Sequence, residues 1–202
     1  LGPCATLTLT QDNGLFVLTI DYGSEGCVCD DGKTRKGKII ATSTDFTALN
    51  VTRTITTDSF YVNDYHVDGT ITRDITKDFD AHTRQANITE NIIITLPDGQ
   101  YSFTRNATLT RILNWYQGGN TLDNTYTTWG TVNITRPNGN QISRIVSADN
   151  PLLYKNECTQ TVSGVATITL PNHTFTVDFG DGVCDGVATV TNELGESWTV
   201  NL

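Results

Sequence analysis

The chain is short of positive charge, of long apolar runs and of catalytic signatures. Lys and Arg number 13 against 22 Asp and Glu, a formal net charge of −9. Broad attraction to phosphate backbones or anionic lipid is therefore not expected, and nucleic acid is set aside as a partner. No apolar stretch approaches the roughly 18 residues of a membrane span. The N-terminal LGPCATLTLT has neither the basic nor the apolar region of a signal peptide, so the chain reads as mature and soluble. GxSxG, HExxH and any Cys–His signature are missing, and His66, His82 and His173 stand far apart, so neither an enzyme nor a cofactor is expected. Paired glycosidase-type carboxylates, which are set in space rather than in sequence, are the one enzymatic option left open. Helical periodicity is also lacking.

What the chain does have is alternation. The hydrophobic fraction is a low 37%, but Thr, Val, Ile and Tyr are so frequent that the chain reads as strand-forming rather than disordered. Period-two runs occupy 5–10, 15–21, 37–44, 50–57, 65–76, 86–96 and 100–113, then 126–136, 141–148, 161–170, 174–179, 186–191 and 197–202. Thr on the polar phase suits a half-solvated strand, its branched Cβ fitting the pleat while its hydroxyl faces water. Turn signals separate the runs: Asp12–Gly14, Pro97–Gly99, Pro137–Asn140, Pro171–Asn172 and Asn192–Glu196. Gln117 to Asn124 reads as an exposed loop. These patterns predict a single all-β domain over 1–202, an antiparallel β-sandwich or strongly curved meander of about a dozen strands. At 202 residues folding buries roughly 70% of the unfolded chain's surface, so a core is available.

The five cysteines, Cys4, Cys27, Cys29, Cys158 and Cys184, leave 30–157 empty. A zinc site wants CxxC pairs or nearby histidines, and the only close pair here is a CxC, so disulfides are the better reading. Disulfides imply an oxidising compartment and an extracellular or cell-surface location. With four cysteines paired, one is left over.

Two stretches echo one another. Phe175 to Val190, FTVDFGDGVCDGVATV, and Phe16 to Thr42, FVLTIDYGSEGCVCDDGKTRKGKIIAT, each run from a strand through Asp-aromatic-Gly into an acidic, cysteine-bearing loop and out as another strand. Asp178-Phe179-Gly180 lacks every other kinase element, and DDGKTRKGK would need a glycine at position 27 to be a phosphate-binding loop. Asp178, Asp181 and Asp185 in one loop, and Asp21, Glu25, Asp30 and Asp31 in the other, offer hard oxygen ligands. Without EF-hand spacing, turn-forming aspartates are the simpler account. Lys33, Arg35, Lys36 and Lys38 form the most basic patch, either a solvated hairpin tip or a docking surface for carboxylates such as Asp178, Asp181 and Asp185.

Trp115, Tyr116, Tyr126 and Trp129 bracket a Gly-Gly loop and either stack on glycans or pack into the core. Asn50, Asn87, Asn106, Asn133 and Asn172 head Asn-x-Thr triplets and are candidate glycosylation sites, although a chain this rich in Asn and Thr produces such triplets by chance as well.

Cys4-Ala5-Thr6, Ile20-Asp21-Tyr22-Gly23, Gly26-Cys27, the run Asp31 to Ile40, Phe60 to Asn63 with Val67 to Thr70, Cys158 with Val162-Ser163-Gly164, and Asp178 to Asp185 span most of the length. On these segments the chain resembles a family of uncharacterised secreted or lipid-anchored proteins of Bacteroidetes. The resemblance implies a Cys4–Cys27 and a Cys158–Cys184 disulfide, with Cys29 as this chain's departure, and implies no activity. It places the echoed loops on the side of construction rather than chemistry. The function expected is that of an extracellular structural protein, a subunit that self-associates into a filament or layer. The N-terminal strand either adds to another copy's sheet or covers its own edge. The alternative is a secreted glycan-binding adhesion module using Trp115, Tyr116 and Trp129.

Overall fold

β-Branched side chains lose least freedom in extended backbone, and their alternation here produces strands throughout. A computed structural model of the chain describes residues 5–116 and 118–202. In chain order the strands are β1 (Thr6–Asp12), β2 (Leu15–Asp21), β3 (Cys27–Val28), β4 (Thr34–Ser43), β5 (Asn50–Val62), β6 (Tyr65–Asp78), β7 (Thr83–Thr95) and β8 (Ser102–Asn114). They continue as β9 (Thr125–Thr135), β10 (Gln141–Val146), β11 (Leu152–Lys155), β12 (Gln160–Leu170), β13 (His173–Asp181), β14 (Val187–Asn192) and β15 (Ser197–Asn201). The expected loop before β9 contains a single 3-10 turn, Thr121–Asp123, whose Leu122 N–H is capped by the Asn120 side chain at 3.1 Å. Among the described residues no helix is long and apolar enough to cross a membrane.

All fifteen strands belong to one antiparallel sheet, bonded in the order β1-β2-β4-β5-β6-β7-β8-β9-β10-β12-β13-β14-β15, with β3 beside β4 and β11 beside β9 and β12. Of the two expected arrangements this is the meander. Strands expected from alternation are found with shifted ends, and the largest shift has a visible cause. The run at 50–57 continues as β5 to Val62 because the β4–β5 register slips between Lys36 and Lys38, opposite Tyr61 and Asp58. Ser59 sits at φ 48° in this bulge, which breaks the period-two pattern that marked the strand. β3 and β11 are two and four residues long, too short to show a period, and alternation does not reveal them.

Two-residue hairpins form where Asn13 and Gly14 take φ of 49° and 79°. Asn63 and Asp64, at 48° and 67°, make the same turn between β5 and β6 without any glycine, because a short polar side chain tolerates the left-handed region.

The chain divides into two compact units. One comprises the residues up to Ile75 with Thr89–Asn106 and Thr135–Gly139; the other comprises Thr76–Ile88, Ala107–Ile134 and Asn140–Leu202. In the first, Tyr22, Cys27, Cys29 and Phe60 form a buried cluster, backed by Ile20, Ile39, Val62 and Val67. In the second, Val146, Leu152 and Ala166 are buried together under Trp129 and Phe179. Further buried apolar side chains, among them Val51, Ile75, Ile88, Leu109 and Val132, lie along the strands, and Val162 at 1% exposure is the most buried among the described residues. Cross-strand pairs and the backbone ladder carry stability alongside them.

Gly37 tests this dependence. It sits at φ 79° in the β4 bulge, and a Cβ there would collide with the Ser59 carbonyl, whereas Gly99 at φ 71° faces open space. Gly99→Ala is expected to cost about 1 kcal/mol from the left-handed backbone alone. Gly37→Ala is expected to cost about 3 kcal/mol, since the bulge must also open. Urea midpoints of the two variants check the difference.

Candidate functional site

The echoed loops are built alike. At the end of β2, Asp21 Oδ1 accepts the Gly23 N–H at 2.8 Å; at the end of β13, Asp178 Oδ1 accepts the Gly180 N–H at 2.9 Å. A second aspartate closes each loop further on: Asp31 Oδ1 accepts from Lys33 N–H at 3.2 Å, and Asp185 Oδ1 from Val187 N–H at 3.1 Å. Each carboxylate thus folds its own backbone, the device that makes Asp favourable in turns. Asp181, exposed at the end of β13, pairs in register with Ser163 of β12.

The basic patch is largely matched within its own loop. Both Arg35 Nη atoms donate to Asp31, 2.8 Å to each oxygen, a bidentate fork. Lys38 Nζ lies 3.3 Å from Asp21 Oδ2, and Lys36 Nζ stands 4.4 Å over the Tyr61 ring, itself 4.7 Å from His66. Lys33 is exposed on the loop. A surface cleft of about 410 Å³ lies against Lys36, Lys38, Asp58 and Tyr61.

Charge placement shifts the carboxyls in a consistent direction. The Arg35 hydrogen bonds hold Asp31 well below its ordinary 3.8, and Asp31, then Cys29, push Arg35 upward. The Gly23 N–H and then Lys38 hold Asp21 below 3.8.

The sulfurs divide between bonds and a buried thiol. Cys158 and Cys184 are joined, linking the segment before β12 to the acidic loop after β13. Cys27 is disulfide-bonded, while the expected partner Cys4 lies outside the described residues. Cys29 is a free thiol, 8% exposed, with its Sγ 3.7 Å from the Cys27 carbonyl oxygen. Among the described residues, only Glu157, Cys158 and Cys184 bring three metal-type ligand atoms within 4.8 Å of one another, and both sulfurs there are in the disulfide.

The three aromatics expected to act together have different surroundings. Trp129 packs against the Val146–Leu152–Ala166 cluster. Trp115 stands edge-on to Phe79 and to His82, each with centroids 5.8 Å away, and Tyr116 is 57% exposed with its N–H on Asn124 Oδ1 at 3.0 Å. Phe79, 60% exposed in the β6–β7 turn, carries no sequence signal because its neighbourhood arises only when that hairpin closes. Asn50, Asn87, Asn106, Asn133 and Asn172 are all exposed.

The remaining feature is the outer strand. Among the described residues β1 bonds only to β2, in unbroken register from Thr6–Asp21 to Asp12–Leu15, and every one of its residues is exposed. The residues flanking a two-residue hairpin bond each other, so Thr6, Thr8 and Thr10 bond inward while Leu7, Leu9 and Gln11 direct their backbone groups outward. Leu7 and Leu9 are 52% and 59% exposed opposite Ile20 and Leu18. The strand lacks proline, bulge and lysine, the usual protections of an edge.

Comparison with known proteins adds nothing to this geometry. The chain matches no protein-family model, no curated protein and no solved structure.

Two outcomes are expected at the first loop. Because Asp31 and Asp21 have folded values below the unfolded 3.8, their contribution is complete above pH 3.8 and is lost as pH falls through the folded values. Asp31→Asn should flatten acid unfolding below pH 3.8, by a small amount because the pair is solvent-screened. Iodoacetamide without reductant should leave Cys29 unlabelled in native protein and label it in urea, as read by intact-mass spectrometry.

Proposed function

We propose that the protein is an extracellular structural subunit that assembles with copies of itself by strand addition at β1. The observation that carries this reading is β1 itself, a seven-residue edge strand in regular register, exposed throughout and without edge protection. Such a strand presents an ordered row of unpaired donors and acceptors, and its Leu7–Leu9 face offers apolar contact to an incoming strand. β15, Ser197–Asn201, ends the strand order at the other side and, among the described residues, pairs only with β14. Addition of β1 to the β15 edge of another copy is a heterologous contact, which propagates as an open chain when it does not close into a ring. Disulfides at the loops fit an oxidising exterior, in keeping with the resemblance to secreted or lipid-anchored proteins of Bacteroidetes.

A second reading, a glycan-binding surface, draws on the exposed Phe79 beside Trp115 and Tyr116, since apolar ring faces near polar turns are what sugars stack on. With Trp129 taken up by the core cluster, this surface would be centred on Trp115. A glycan array would detect it, with binding expected to disappear in Trp115→Ala.

The assembly reading predicts particles that grow with concentration in sedimentation velocity and appear as elongated objects in negative-stain micrographs. Leu7→Lys combined with Leu9→Lys should yield monomers with an unchanged far-ultraviolet circular dichroism spectrum. Wild-type protein that stays a monodisperse monomer at high concentration would defeat the proposal.

A further inference from the structure

The second unit contains a cavity of about 310 Å³ lined by Arg111 of β8, Tyr126 and Thr128 of β9, Arg144 of β10, Leu152 and Tyr154 of β11 and Thr161 of β12. Two cations share this small space with no Asp or Glu in the lining. In a chain where acids outnumber bases 22 to 13, such a pairing runs against composition. Several other bases meet acids: Arg35 with Asp31, Lys38 with Asp21, Arg105 with Glu90.

The two guanidiniums are held without being neutralised. Arg111 Nε donates to Thr128 Oγ1 at 3.1 Å, which fixes its plane. Arg144 Nε is buried with no hydrogen-bond partner. Neither arginine has an ion pair among the described residues. Burial, and then the charge of Arg111, push Arg144 below its ordinary value, so the site as it stands disfavours its own charge. A buried donor without a partner carries a desolvation penalty, and the half-buried Arg144 also faces the like charge of the exposed Arg111. An oxyanion relieves both, accepting from the guanidinium forks while balancing the charge.

We propose that this cavity binds the carboxylate of an acidic monosaccharide unit, a uronic acid, with Arg111 and Arg144 on the carboxylate. The rest of the lining fits that ligand class. The Tyr126 and Tyr154 rings stand edge-on with centroids 6.1 Å apart and offer apolar faces, and the Thr128 and Thr161 hydroxyls can serve ring hydroxyls. The volume suits one sugar ring and falls at the small end of ligand pockets, about 300–1,000 Å³. The lining includes no residue of β1, and the proposal does not depend on self-assembly.

Calorimetric titration of the full chain with glucuronate, glucose, acetate and inorganic phosphate tests the proposal. Glucuronate is expected to bind and to raise the melting temperature, with glucose giving no response and acetate binding at least tenfold more weakly. Arg111→Gln and Arg144→Gln should each weaken glucuronate at least tenfold, and Tyr154→Ala and Thr161→Val, which leave both charges in place, should weaken it by a smaller factor. Arg144→Gln should not lower the melting temperature of the ligand-free protein, so loss of binding is separable from loss of fold. Silence towards glucuronate, an equal response to glucose, acetate or phosphate, or binding untouched by either arginine substitution would overturn the assignment.

Discussion

Everything in this protein depends on completing the backbone ladder of one antiparallel sheet. Each strand carries donors and acceptors on both sides, and leaving one unpaired away from water costs a free energy comparable to a lost hydrogen bond. The meander order meets this requirement by placing neighbours on either side of each strand on the path from β2 to β14, most of them consecutive in sequence, with the short β3 beside β4 alone. It cannot do so for β1 and β15. Buried clusters such as Tyr22–Cys27–Cys29–Phe60 and Val146–Leu152–Ala166 add to the ladder and to the cross-strand pairs. The same constraint that organises the fold leaves two edges needing water, protection or a partner.

The loops at the ends of β2 and β13 solve a second problem, that of reversing a strand without exposing an unsatisfied turn. Asp21 and Asp178 use one carboxylate oxygen to satisfy the glycine N–H two residues on. What resembles a ligand set in sequence is, in the fold, a set of backbone acceptors. The Arg35–Asp31 fork and the buried Cys29 thiol lie where one such loop packs down on Phe60 and Tyr22. In the first loop two basic side chains, Arg35 and Lys38, lie beside carboxylates of that loop. Arg111 and Arg144 depart from that pattern, which is why their cavity stands out.

Strand periodicity is a local property, so alternation of Thr with Val, Ile or Leu located most of the strands, and Asn-Gly or Asp-Gly located several turns. An all-β antiparallel fold was legible at that level, with the choice between sandwich and meander left to the strand order, while the Cys158–Cys184 pairing was implied by the family resemblance and is present in the fold. Local signals fail where the period is broken or never established. β5 outran its predicted end because a bulge at Ser59 shifts the phase, and the Asn63-Asp64 turn was passed over because it uses no glycine.

The candidate sites divide along the same line. A carboxylate can bond its own backbone two residues away, so the turn role of Asp21, Asp31, Asp178 and Asp185 was determined by sequence. Which strand is left at an edge depends on the order of all the others. Likewise Trp129 joins a core cluster while Trp115 meets Phe79 and His82, and Arg111 shares a cavity with Arg144 across 33 residues of chain. Those relations are decided only when the strands pair, because pairing brings together side chains that no short-range pattern connects.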